Sequence, residues 1–321
     1  MTTGIDPGCI RLRLADAGGR ISEASVTSER PVVAEALRGR PGDAAVRLVP
    51  LLFALCGKAQ GRAAALALAA ARGSETAVHI DPQIQREALR EHLWRWLLDL
   101  PPLLDEAALH AEFVAAARSI AGGQREDLAP LLDDARIATL CRRLGEVEDL
   151  RGPAPRLLPP LDARGSRELW PCLDAGFCCM PDWRGAAAET GAIARRQGGS
   201  PTAAAFAARW LARLEELRDW SAGSAKVGAG GTASAVPVAA GRGRALVETA
   251  RGLLMHEIVL DGGRIGEYFI VAPTEWNFHP QGPLGGWLLG RDATDREAVQ
   301  RFAARAVAAL DPCVRWELEW L

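Results

Sequence analysis

The sequence predicts an α+β protein that is mainly helical, with one small β-hairpin towards each end. In each of two segments, 10–28 and 252–273, two short runs with strand-like patterns flank a Gly-containing turn. Apolar residues recur at helical spacing over longer stretches, which are 82–100, 105–123, 126–147, 201–220 and 295–310. Helices therefore account for most of the predicted structure, and no internal repeat is evident.

The remaining elements are assigned in chain order. "IRLRLA" and "RISEASVTS" form the first predicted hairpin around "DAGG". Helical patterns follow at 31–39 and in the Ala/Leu-rich run after Cys56. Residues 150–185 are rich in Pro and Gly and are predicted to be loop. The second hairpin turns at "DGG", inside 252–273.

The domain organisation is predicted to be simple. At 321 residues the chain is long enough to bury a large core, and we expect one domain over 1–321. The stretch 221–245 is rich in Gly, Ala and Ser, a composition typical of flexible linkers. It is predicted to be mobile and to let a neighbouring site open.

Composition and charge limit the classes of partner. The chain has 38 basic and 40 acidic residues, a net charge of −2, so no broad basic surface for nucleic acid is expected. The longest apolar run, at 48–56, is too short to cross a bilayer, and the first residues lack the apolar core of a signal peptide. The seven cysteines, an odd number, favour reduced thiols in a bacterial cytoplasm.

Two cysteines are candidate ligands for a soft metal. Cys56 precedes a predicted helix, whose N-terminal amides would lower the thiol pKa. Cys313 follows Asp-Pro, where the proline fixes the backbone, and thiolates are good ligands for soft metals. The alternative for each is an inert core cysteine. The chain has no Cys-x-x-Cys pair, which argues against structural zinc, and the Cys178–Cys179 pair is predicted to pack in the interior.

Four blocks, in the same order along the chain, resemble the large subunits of nickel-iron hydrogenases. The strongest is "ETARGLLMHEIVLDGGRIGEYFIVAPTEWNFHP" at 248–280, which is similar to a Pro-Arg-Gly segment, a hairpin and Pro-Thr-x-Trp-Asn. "PDWRGAAAETGAIARR" at 181–196 resembles a second block. The stretch 36–64 resembles the lead into Arg-x-Cys-Gly-x-Cys, and the last residues resemble Asp-Pro-Cys-x-x-Cys-x-x-His. The resemblance implies the hydrogenase large-subunit fold.

The departures from this family are as informative as the matches. In the enzymes the second Cys of each motif bridges nickel and iron, but here Ala59 and Trp316 occupy those positions, and neither side chain can bridge metals. Glu319 replaces the His that ends the second motif, Ala63 replaces the His after the first, and Pro7 falls where a proton-relaying Glu is expected. The resemblance therefore implies that this chain is not a hydrogenase and not an enzyme.

A different subset of the family's residues is retained. In the enzymes iron carries two cyanides and one carbon monoxide, and the cyanides accept hydrogen bonds from the Arg and the Pro-Thr segments. The matching residues are Arg251, Pro273 and Thr274, and the first Cys of each motif is kept as Cys56 and Cys313. These cysteines match the nickel-terminal positions, so either both sulfurs turn to iron or Cys56 acts alone.

Structural roles are the alternatives for these polar residues. Arg251 could instead form an ion pair with Glu248 or Glu189, and Thr274 could cap a turn. Glu189 and Arg195 are interpreted as framework residues, with a pair between the two as one option.

A chain that retains the ligand pocket but lacks the bridging sulfurs resembles the HupK/HoxV-type accessory proteins of hydrogenase gene clusters. The resemblance implies a scaffold for an Fe(CN)2(CO) unit, without nickel, whose partners are small maturation chaperones and the hydrogenase large-subunit precursor. The given sequence ends two residues after Glu319, so under this resemblance we expect no C-terminal extension and no nickel-dependent cleavage. Two alternatives remain open, which are a metal-free structural relic and a divergent enzyme with a single metal.

Overall fold

The computed structural model describes residues 8–29, 33–53, 55–147, 150, 152, 154–197, 206–224 and 230–321. The strands in these ranges are β1 Cys9–Ala17, β2 Arg20–Glu29, β3 Thr76–Ile80, β4 Thr232–Ala239, β5 Arg242–Thr249, β6 Gly252–Asp261, β7 Arg264–Val271 and β8 Arg315–Trp320. The α-helices are α1 Gly42–Leu52, α2 Gly57–Ala71, α3 Pro82–Trp94, α4 Leu100–Leu103, α5 His110–Gly122, α6 Ala129–Leu132, α7 Ala135–Glu146, α8 Ala163–Leu169, α9 Ala175–Cys179, α10 Ala192–Gln197, α11 Phe206–Ser221, α12 Pro273–Asn277, α13 Pro283–Leu288 and α14 Arg296–Leu310. Short 3-10 turns lie at Val33–Leu37 and Glu126–Leu128. The mainly helical α+β class is confirmed.

The first sheet joins the two ends of the described chain. Its order is β2-β1-β8, with β2 antiparallel and β8 parallel to β1. The predicted N-terminal hairpin is confirmed, but the third strand was not predicted. "RWELEW" alternates polar and apolar residues as a strand does, and its partner β1 lies at the opposite end of the sequence. Because the same residues continue a cysteine motif, this alternation is easily overlooked.

The second sheet corrects the prediction of a mobile 221–245 segment. Its order is β3-β4-β5-β6-β7, antiparallel throughout, so the predicted C-terminal hairpin is present as β6–β7 within a larger sheet. Strand β4 and the start of β5 lie inside 221–245, while 225–229 are outside the described residues. The small residues of β4 and β5 face a helix at close range, which explains a composition that resembled a linker.

Both faces of the second sheet are covered. Helix α2 packs on one face, and a Cβ added to Gly243 of β5 would meet the Ala71 backbone nitrogen at 2.0 Å. The other face packs against apolar residues from the loop-rich region 154–190 and from α12, including Trp170 and Trp276. The sheet is therefore fixed between two layers, and α2 has little freedom to move relative to β5.

The largest core is helical and closes on the first sheet. It combines residues of α3, α5, α7, α11, α13 and α14 with the inner face of β1, where Ile10 is fully buried. Asp81 caps α3 by accepting from the Gln83 and Ile84 amides. The predicted helix over 82–100 is present, with a π-helical turn at Arg95–Asp99.

Three local features of the structure differ from the predictions. Helix α1 was not predicted, because Pro50 lies in its last turn and interrupts the sequence pattern. The region 150–185 contains the short helices α8 and α9 in addition to loop. At the end of α9, Cys178 is half-buried but Cys179 is exposed, so the prediction that both pack in the interior is wrong for Cys179.

Candidate functional site

Cys56 lies at the N-cap of α2, where α1 and α2 pack against each other. A Cβ added to Gly57 would lie 2.8 Å from the carbonyl oxygen of Pro50, so only glycine fits this approach without displacement. The half-buried Cys56 thus lies in the tight connection between α1 and α2. Its side chain accepts a hydrogen bond from Nε2 of Gln60, one turn along α2, at 3.8 Å.

The electrostatics of Cys56 differ from the prediction. The carboxylate of Glu87, on α3, accepts from the backbone N–H groups of Lys58 and Ala59 at 2.9 and 3.0 Å, so these N-terminal amides of α2 do not face the sulfur. Burial, and then the neighbouring Cys313, raise the pKa of the Cys56 thiol to about 12. The expectation that the helix start lowers this pKa is therefore wrong.

Cys313 lies in the short connection between α14 and β8. The Thr274 hydroxyl oxygen is 3.1 Å from its sulfur. Thr274 and Pro273 are buried in the first turn of α12, and Pro273 takes the position where a helix needs no N–H donor. The hydroxyl of Thr274 thus contacts a predicted ligand sulfur and does not cap a turn.

Arg251 lies in the turn between β5 and β6, with its side chain almost fully buried. Its Nη2 donates to Glu91 at 3.0 Å, and its Nε lies 3.2 Å from a carboxylate oxygen of Asp311. Burial alone would lower the pKa of Arg251, but Asp311 and Glu91, with smaller effects from Cys313 and Cys56, raise it above its ordinary value. The guanidinium therefore lies within electrostatic reach of both sulfurs and stays charged.

The predicted structural ion pairs are formed by other residues. Glu248 pairs with Arg195, which also binds Glu216, and Glu189 forms a two-fold hydrogen bond with Arg209. Arg251 contacts neither Glu248 nor Glu189 among the described contacts. Glu189 and Arg195 are framework residues, as predicted, but they do not pair with each other.

Asp311 is the principal site residue that the sequence argument missed. Its carboxylate accepts from Nε of Arg95 at 2.6 Å and is also 3.7 Å from Nε of Arg213, in addition to its contact with Arg251. Burial alone would raise the pKa of Asp311, but these three arginines hold it well below its ordinary value. Arg95 also donates to the Pro312 carbonyl at 3.0 Å, which fixes the backbone next to Cys313. The sequence feature that could have indicated Asp311 is its position before Pro312 at the end of a predicted helix.

Asn277 is a second missed residue, and it joins the turns around the site. Its side-chain nitrogen donates to the carbonyls of Arg251 and Leu310, at 3.3 and 3.1 Å. Its side-chain oxygen accepts from the Thr190 amide at 2.9 Å. One side chain thus holds the Arg251 turn and the end of α14 in a fixed relation.

The residues that differ from the hydrogenase motifs make structural contacts in this protein. Ala59 is fully buried in α2, and Trp316 packs from β8 against the helical core. Glu319 accepts from Arg11 and from Arg13, the latter at 3.0 Å. Pro7 lies outside the described residues. In the described part of the chain, no group of three or more His, Cys, Asp and Glu side chains is arranged to hold a metal ion.

Comparisons with known proteins show which family the chain is similar to. The nickel-dependent hydrogenase family matches residues 187–315. The hydrogenase expression/formation protein HoxV of Cupriavidus necator is 35% identical, over 92% of both chains. HupK proteins with the same description are 32% identical in Azotobacter vinelandii, over 97% of both chains, and 31% in Rhizobium leguminosarum, over 99% of this chain and 98% of that one.

Solved structures show the same fold at low identity. The reduced Ni-Fe-Se hydrogenase of Desulfomicrobium baculatum superposes with a TM-score of 0.56 at 14% identity, covering 94% of this chain and 95% of that chain. A variant of the [NiFeSe] hydrogenase from Desulfovibrio vulgaris Hildenborough gives 0.56 at 16% identity, covering 93% and 94%. Among the described helices, none is long and apolar enough to span a bilayer. This chain has a hydrogenase large-subunit-like fold and belongs to the HoxV/HupK family of hydrogenase expression/formation proteins.

Proposed function

We propose that this protein is a non-catalytic maturation scaffold that holds an Fe(CN)2(CO) unit between Cys56 and Cys313 and passes it to a hydrogenase large-subunit precursor. The observation that carries the proposal is the convergence of four predicted residues. Thr274 touches the Cys313 sulfur at 3.1 Å, and Arg251 acts electrostatically on both Cys313 and Cys56. Two sulfurs, a cation and a hydroxyl suit iron that carries anionic cyanides.

Charge supports this assignment of cargo. Two thiolates bound to Fe(CN)2(CO) form an anionic complex, which needs a permanent cation beside it. Arg251 is such a cation. Its Nη2 donates to Glu91 and its Nε lies 3.2 Å from Asp311 without forming a hydrogen bond, so the guanidinium has donor capacity for a cyanide nitrogen. Pro273 fixes the start of α12, so the Thr274 hydroxyl and nearby amides can serve the second cyanide.

The absence of nickel from the proposed cargo follows from Ala59 and Trp316. Ala59 offers no donor atom, and the indole of Trp316 packs against the helical core. We therefore infer that the protein does not turn over hydrogen. Stoichiometric nickel with hydrogen oxidation would instead support a single-metal enzyme, and metal-free protein from a competent host would support a structural relic.

Loss of either cysteine is expected to abolish cargo binding. Protein purified anaerobically from a host with the maturation machinery should give infrared stretching bands of cyanide and carbon monoxide. Cys56→Ala and Cys313→Ala should each remove these bands, because each takes away a sulfur ligand. Cys179→Ala, which removes an exposed thiol, is the control and should keep them. Bands that persist in both site variants would exclude the thiolates as ligands.

Arg251→Lys is expected to weaken cargo retention without removing the charge. An ammonium cannot reproduce the planar guanidinium fork, and hydrogen bonds to charged groups contribute about 1.5–3 kcal/mol, so iron loss during dialysis should accelerate roughly tenfold or more. Arg209→Lys makes the same change in another buried guanidinium, the one paired with Glu189. Equal retention in both variants would make Arg251 a framework residue.

We infer that hand-over partners dock near Cys56. Leu51 is 79% exposed at the end of α1, and Lys58 is exposed directly after Cys56 and Gly57. A small maturation chaperone that transfers the iron unit would need access at this corner, and the large-subunit precursor would be the recipient. This cycle would take place in the cytoplasm.

A further inference from the structure

Three buried polar side chains connect the second sheet to Cys56. The hydroxyl of Tyr268 on β7 lies 2.8 Å from Nδ1 of His256 on β6. Nε2 of His256 lies 2.8 Å from Oε1 of Gln60 on α2, and Nε2 of Gln60 reaches the Cys56 sulfur at 3.8 Å. His256 and Gln60 are almost completely buried, and Tyr268 is 7% exposed. We call Tyr268, His256 and Gln60 the relay.

The direction of each hydrogen bond in the relay can be derived. A buried phenol must donate its proton, and the Tyr268 hydroxyl has Nδ1 of His256 as its acceptor within the described part of the chain. His256 is neutral, since burial lowers its pKa to about 3, so the ring carries one proton. With Nδ1 accepting, that proton is on Nε2 and is donated to the oxygen of Gln60. The amide group of Gln60 therefore directs its N–H towards Cys56.

No other described side chain or amide takes this role. The amides of Lys58 and Ala59, at the start of α2, are bound by Glu87. Arg251 acts on the sulfur only through its charge, in the described contacts. A sulfur that serves as a thiolate ligand can only accept hydrogen bonds, so the donor orientation of Gln60 is the one that matches ligation.

We propose that Gln60 is a positioning residue that donates a hydrogen bond to the Cys56 thiolate in the loaded protein, with His256 and Tyr268 fixing its orientation. This inference rests on the proposed function. Hydrogen bonds to a ligand sulfur withdraw electron density from the metal and limit its donation into bound carbon monoxide and cyanide. The relay would thus adjust how firmly the iron unit is held by a sulfur that must later release it.

The orientation can be tested on empty protein. Nuclear magnetic resonance of protein with ¹⁵N-labelled histidine should show His256 as the neutral tautomer with its proton on Nε2. Tyr268→Phe removes the donor to Nδ1, so the signal of this tautomer should weaken or give way to the other one. A wild-type tautomer protonated on Nδ1 would present the Gln60 oxygen to the sulfur and would overturn the proposal.

The electronic effect is tested on protein loaded in the maturation host. Gln60→Met has a similar volume and lacks the donor, so the carbon monoxide and cyanide bands should move to lower wavenumber. Tyr268→Phe should move them in the same direction, although it changes a residue two hydrogen bonds away from Gln60. Ile258→Val, a change in the same apolar core that leaves the relay intact, should leave the bands in place. Unchanged bands in both relay variants would overturn the inference.

The two hypotheses fail in different ways. Bands in the wild-type protein that do not respond to Gln60→Met or Tyr268→Phe would leave the scaffold function standing and remove the relay from it. If the wild-type protein acquires no bands, the scaffold function fails and this inference fails with it, whatever the tautomer of His256. If Gln60→Met does not fold, Tyr268→Phe alone decides the inference.

Discussion

Asp311→Asn is expected to destabilise the folded protein by about 3–5 kcal/mol, since removing one partner of a buried ion pair leaves the other charges uncompensated. Asp311 is 3% exposed and contacts Arg95, Arg251 and Arg213. Asn is the informative replacement because Asp311 has a φ of 58°, a left-handed conformation that Asn also adopts readily. The substitution thus removes the charge and keeps the backbone preference.

Chemical denaturation of empty protein measures this effect as a free energy of unfolding. Asp99→Asn is the matched control, because Asp99 also pairs with Arg95 but its side chain is 32% exposed. The control should cost at most about 1 kcal/mol, as is typical of partly exposed pairs. Equal losses in the two variants would mean that Asp311 does not compensate the three arginines.

Gly243→Ala is expected to cost about 3 kcal/mol or more, at the upper end for overpacking. An added Cβ would meet backbone atoms of α2, the nitrogen of Ala71 at 2.0 Å and the oxygen of Ala67 at 2.5 Å. Backbone atoms cannot rotate away as a side chain does, so the whole helix must shift. Because α2 begins after Cys56 and carries Gln60, the shift would also displace Cys56, the proposed sulfur ligand.

Thermal unfolding and the infrared bands together test this substitution. Gly145→Ala is the control, since a Cβ there meets nothing within 4 Å and the residue is exposed near the end of α7. Alanine favours helix, so the control should be neutral or stabilising by up to about 1 kcal/mol. A Gly243→Ala protein with wild-type stability would mean that α2 and β5 are less closely packed than described.

Local patterns predicted most of the regular structure. The first hairpin and the helix over 295–310 have alternation, periodicity or capping residues within the segment itself. Strands β4 and β5 could not be predicted in this way, because Ala and Gly are poor strand formers. Small residues are needed there because α2 packs closely against these strands. The single domain over 1–321 stays a prediction.

Only part of the candidate site could be predicted from the sequence, because local patterns reveal motif residues but not their partners in the fold. Motif resemblance gave Cys56, Cys313, Arg251 and Thr274 as candidate site residues, because they occur in recognisable blocks. Their partners did not stand out, because an Asp, a Glu or a Gln has no special pattern until the fold brings it to the site. Glu87 is the clearest case, since it changes the environment of the helix start that the sequence argument relied on.

The parallel pairing of β1 with β8 has a consequence for the order of synthesis. The ion pairs across these strands join residues 306 or 308 positions apart, such as Arg13 and Glu319, and Cys313 lies just before β8. At translation rates of about 5–20 residues per second, β1 waits roughly 15–60 s for its partner. During that time the ribosome still holds the residues that complete the site. A nascent chain therefore contains Cys56 before Cys313 has been synthesised, and the proposed two-sulfur site can bind cargo only after translation has reached β8.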